Sequence, residues 1–83
     1  MEEKDKPKAP IIGADGNVFN LMGICSRELK HAGFRKEADE MINRITTSAK
    51  SYDEALAIMM DYVDPVDVNY DLNEEFDDFK VGI

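Results

Sequence analysis

The chain has 83 residues, 43% of them hydrophobic and 34% charged, and its 18 acidic and 10 basic side chains leave a formal net charge of −8. That length holds one domain with one modest core, burying only about 60% of the surface exposed on unfolding, so a partner or a second copy would add useful contact. A single cysteine excludes an intramolecular disulfide and a cysteine-built metal site, the negative field disfavours nucleic acid and anionic membranes, and the charged start with no apolar run near 18 residues predicts a soluble, cytoplasmic protein.

Residues 1–10, MEEKDKPKAP, mix charges with two prolines and read as a flexible lead-in to a single domain over 11–83. Ile11-Ile12 has room for a brief strand. GADGN, residues 13–17, is a turn in which Asp15 or Asn17 can accept hydrogen bonds from the first free amides of a helix. Val18, Leu21, Met22, Cys25, Leu29 and Ala32 then follow helical spacing and predict a helix over 18–32. Gly33 stands where a helix ends in a left-handed residue, with Phe34 placed to pack back on the last turn. Gly23, inside that helix, costs roughly 1 kcal/mol relative to Ala and is explained either by a close helix approach or as a tolerated defect.

A second helix over 35–48 carries Ala38, Met41, Ile42 and Ile45 on one face and charged residues on the other, with Glu40 and Arg44 spaced as an i, i+4 ion pair. Ser51 and Glu54 form a capping box that opens a third helix over 52–63. Its apolar face, Tyr52, Ala55, Leu56, Ile58, Met59, Tyr62 and Val63, is wider than one-sided packing needs and suits an interface. Pro65 stops this helix and keeps Asp64 out of helical geometry. Beyond it Val66, Val68, Tyr70 and Leu72 alternate with polar residues, which predicts a strand over 66–72. The fold class is therefore mainly α: three helices, with short strands at both ends pairing with each other or with a second copy.

Residues 61–83 hold eight carboxylates against Lys80 alone, a net of −7 out of the chain total of −8. Part of this acidic segment, Asp67 to Asp78, imitates an EF-hand calcium loop, but Leu72 occupies the position that needs glycine and Glu74 the one that is usually aliphatic. No metal and no cofactor is expected. A DNA-reading helix-turn-helix is also disfavoured, because the third helix offers Asp53, Glu54 and Asp61 where such a helix needs basic or amide side chains. Cys25 and His31 are six residues apart on one helix, on different faces, so they make no nucleophile and base pair, and no enzyme activity is expected.

Two readings of the carboxylates stay open, a solvated face or a mimic of nucleic-acid phosphates. In the second, Asp64, Asp67, Asp71, Glu74, Glu75, Asp77 and Asp78 occupy phosphate positions in a basic groove, while Tyr70, Phe76 and Phe79 add apolar contact. The runs IIGADGNVFNLMGICSRELKHAGFRKEADEMINRI and SYDEALAIMMDYV, covering about residues 11–63, resemble small uncharacterised proteins of Firmicutes phages and mobile elements. The resemblance implies a setting in which small acidic proteins inhibit host defence enzymes, as anti-CRISPR or anti-restriction proteins do. The expected partner is a basic, nucleic-acid-handling protein. The alternative is a structural or oligomerisation module that works through the apolar face of the third helix.

Overall fold

In a computed structural model of the chain, residues 6–69 are described. The elements run β1 (Lys8–Ile12), α1 (Val18–His31), α2 (Arg35–Ser48), α3 (Tyr52–Met60) and β2 (Asp64–Asp67). The architecture is mainly helical, with the two short strands joined as a parallel pair.

Parallel strands cannot be linked by a tight turn and require a long crossover. Here the crossover is the whole three-helix unit, which brings Lys8 opposite Asp64 and Ile12 opposite Asp67 across a register shift between Pro10 and Ile12. The Asp64 amide donates to the Pro7 carbonyl at 2.8 Å and the Val68 amide to the Ile12 carbonyl at 2.9 Å, closing the pair at both ends. The strands thus pair with each other. A proline in each, Pro10 and Pro65, also removes a backbone donor from a two-stranded ladder in which both strands are edges.

Local chemistry sets the helix ends. Asn17 caps α1 by accepting from the Phe19 amide at 2.8 Å and the Asn20 amide at 3.4 Å, while Asp15 Oδ1 accepts from the Asn17 amide. At the other end the Phe34 amide donates to Leu29 O at 2.8 Å and the Gly33 amide to Lys30 O at 3.0 Å. That pair of bonds is a Schellman motif, and it needs the left-handed backbone that Gly33 supplies at φ +90°. Ser51 Oγ accepts from the Glu54 amide at 3.1 Å, and Glu54 reaches back to the Lys50 amide at 2.7 Å, one residue before the position a symmetrical capping box would use.

One core joins β1 and the three helices, and Tyr62 and Val63 of the turn before β2 complete it. Leu29, Met41, Met59, Val63 and Cys25 are its largest fully buried side chains, and Ala9 and Ile11 bring β1 into it. The alternation of exposed Lys8, buried Ala9, buried Ile11 and exposed Ile12 places β1 on the helical body, so residues 8–10 belong to the folded unit and not to a flexible lead-in.

Several boundaries differ from the expectations above. Helix α1 stops at His31, with Ala32 exposed as its C-cap. Helix α3 stops at Met60, because the amides of Asp61 and Tyr62 bond three residues back and tighten the last turn, which buries Tyr62 and Val63 outside the helix. Strand β2 begins at Asp64, two residues early, and does not continue through Val68. Asp67 Oδ1 captures the Asn69 amide at 2.7 Å and turns the chain there. The rest of the expected strand, residues 70–72, lies outside the described residues. Gly23 is exposed with nothing within 4 Å of where a Cβ would stand, so no close helix approach explains it.

Candidate functional site

The acidic edge begins where α3 ends. Asp61, Asp64 and Asp67 are all exposed, three residues apart along the turn and β2. The carboxylates of Asp61 and Asp67 are engaged, and Asp64 is held through its backbone. Arg44 on α2 donates to Asp61 Oδ2 and to the Tyr62 hydroxyl, both at 3.2 Å, with its guanidinium 5.6 Å from the Tyr62 ring centre. The predicted Glu40–Arg44 pair is therefore replaced by a longer-range contact that ties α2 to the end of α3. Asp64 stands opposite Lys8 in the strand register, and the Asp67 carboxylate is used by the local turn. Lys6 adds a tie of its own by donating to Met60 O at 2.9 Å.

Of the residues expected to bind a partner, Asp64 and Asp67 are thus brought to one exposed edge. Tyr70, Asp71, Glu74, Glu75, Phe76, Asp77, Asp78 and Phe79 lie outside the described residues, as does nearly all of the calcium-loop imitation. Among the described residues no group of three or more His, Cys, Asp or Glu side chains comes together as a metal site. No helix among them is long and apolar enough to cross a membrane.

Cys25 and His31 are not brought together. Cys25 is fully buried, and burial, assisted by the Glu28 carboxylate, pushes its thiol up to about 12. His31 is exposed in the last turn of α1. A thiol so strongly protonated is a small core hydrophobe and a poor nucleophile.

Two surface depressions went unread in the sequence. The first, of about 470 Å³, lies where the N-termini of α1 and α3 meet the C-terminal part of α2, lined by Val18, Phe19, Met22, Ile45, Thr46, Ala49, Ser51 and Tyr52. Phe19 is 70% exposed and Tyr52 45%. Phe19 falls beside the apolar stripe of α1 and not within it, which was the available signal. The second, of about 430 Å³, runs between α1 and α2 and carries Arg27, Lys30 and His31 beside Gly23, Ser26 and Ile42. It places a small basic face on α1, opposite in sign to the acidic C-terminal region.

The apolar face of α3 is largely consumed by the core: Ala55 and Met59 are buried and Leu56 and Ile58 half-buried, leaving Met60 at 45% exposure.

No protein-family profile, curated protein or solved structure matches this chain.

Proposed function

We propose that the protein is a non-enzymatic binding module that uses its acidic C-terminal region to occupy a basic, nucleic-acid-handling surface on another protein. The observation that carries this reading is the charge distribution: residues 61–83 hold −7 of the net −8, leaving a nearly neutral body to support them. Carboxylates in series attract a basic groove over long range and stand in for phosphates within it, and interleaved aromatic side chains convert that encounter into tight binding. The most concrete form is an accessory inhibitor of a phage or mobile element, of the anti-CRISPR or anti-restriction type.

The test is reversal of Asp71, Glu74, Glu75, Asp77 and Asp78 to Lys. Partner binding should fall steeply with salt in the unmodified protein and vanish in the variant, while helical circular dichroism stays unchanged. Binding indifferent to both salt and charge reversal would reject the mimicry.

A second reading, self-association through α3, draws on the exposure of Met60 and Tyr52. Met59 cannot test it, because that side chain is fully buried and a charge there would unfold the core. Met60→Asp is the suitable change: it should dissociate an α3-mediated oligomer and leave a monomer untouched, as sedimentation velocity would record.

A further inference from the structure

Asp15 and Gly16 lie in the connection between β1 and α1, and both are exposed. Asp15 is the only Asp or Asn of the chain that a glycine follows. The glycine has a packing reason: a Cβ at Gly16 would stand 3.2 Å from the Tyr52 hydroxyl, tighter than ordinary contact. It also has a chemical consequence, because with no side chain beside it the Gly16 nitrogen is open to the carboxyl group of the preceding residue.

The hydrogen bonds around the pair favour that approach. Asp15 Oδ1 accepts from the Asn17 amide at 3.3 Å, which folds the carboxyl group forward along the Gly16 peptide. The carbonyl of that same peptide, Asp15 O, accepts from Asn20 Nδ2 at 3.1 Å. A donor on the carbonyl oxygen stabilises the anion formed when the peptide nitrogen loses its proton, and the positive end of the α1 dipole acts in the same sense. Among the described residues the Gly16 amide donates to no acceptor, so no hydrogen bond holds its proton in place.

We propose that Asp15 is a site of spontaneous isomerisation to isoaspartate, promoted by the cap that starts α1. Gly16 N, its proton passed to water, attacks Asp15 Cγ; the Cγ–O bond breaks and that oxygen leaves as water, closing a succinimide ring. Water then opens the ring at one of its two carbonyl carbons. Addition at Cγ restores aspartate. Addition at the main-chain carbonyl carbon of Asp15 breaks its bond to Gly16 N, so the chain now runs through Cβ and Cγ and that carbon becomes a free carboxylate. One water leaves and one returns, and mass and charge are unchanged. Asp64 cannot follow this route, since Pro65 has no N–H to lose. The product carries an extra backbone carbon just ahead of Asn17, and it displaces both groups of Asp15 that Asn17 and Asn20 hold, so the start of α1 is loosened.

The experiment ages the full chain at neutral pH and assays isoaspartate by enzymatic methyl transfer from S-adenosylmethionine, with the position read by electron-transfer fragmentation. The proposal predicts a mass-neutral product that accumulates at Asp15 and at no other aspartate, and whose separated form melts at a lower temperature than the parent. Asn20→Ala, an exposed change that removes the donor from the Asp15 carbonyl, should slow accumulation several-fold in the folded chain and leave the rate in urea unchanged. Absence of isoaspartate at Asp15 in the folded chain, over a period in which the chain in urea forms it, overturns the proposal. A folded Asn20→Ala chain that isomerises as fast as the parent overturns it as well.

Discussion

Cys25 sits inside the core with its thiol held neutral, and a pH dependence follows. Its folded-state value is raised from 9.0 to about 12, so the folded chain keeps a proton that the unfolded chain loses from about pH 9 upward. The stabilisation tied to this thiol is therefore fully present below pH 9 and is lost as the pH rises towards 12, at a slope approaching about 1.4 kcal/mol per pH unit. Urea titrations from pH 8 to 11 should show that decline, and Cys25→Ala should remove one proton's share of the slope. A slope identical in the two proteins would contradict the assignment. Gly33 gives a second test at this scale. With φ at +90°, Gly33→Ala should destabilise the protein by about 1 kcal/mol, whereas Gly23→Ala, in open space within a helix, should stabilise it by about as much. The caps at Asn17, Gly33 and Ser51 were legible in the sequence because each partner lies within five residues. The Arg44 contact was not: Asp61 is 17 residues away, and only the packing of α2 on α3 brings it within reach of Arg44, ahead of Glu40.

Elements were legible where a single period governs them. The spacing of Leu21, Met22, Cys25 and Leu29 fixes α1, and Ala38, Met41 and Ile45 fix α2, because those are the apolar residues each helix buries. Ends governed by tertiary packing were less so. Tyr62 and Val63 continue the apolar pattern of α3, yet they are buried by a turn, since a helix continued into Asp64 would collide with the requirements of Pro65. Strand β1 was hidden for a similar reason: two prolines and alternating charges near it look like a lead-in, and its pairing partner lies more than 50 residues away. Its membership of the core is testable. Ala9→Asp places a carboxylate where the side chain is fully buried and should cost about 3 kcal/mol or more. Ile12→Thr, at a position 52% exposed, should cost less than about 1 kcal/mol. Equal, small effects in chemical denaturation would argue that β1 is peripheral.

At the scale of the molecule, the charge asymmetry was fully legible, since it needs only a count along the chain. What the sequence did not reveal is how the body meets it. Arg44 and the local turn engage the carboxylates of Asp61 and Asp67, and the backbone of Asp64 is held in the strand pair, so the acidic edge is attached to the fold at several points by Asn69. The apolar groove at the helix ends was likewise invisible, because it combines residues from separate helices. Most of the proposed contact residues follow Asn69, and the account stands on their charge. The most direct measurement is affinity capture with the immobilised protein and its five-lysine variant from one bacterial lysate, followed by elution with duplex DNA. The account predicts that a basic nucleic-acid-handling protein is retained by the unmodified chain, released by DNA, and not retained by the variant. Retention of the same proteins by both chains, with no release by DNA, would contradict it.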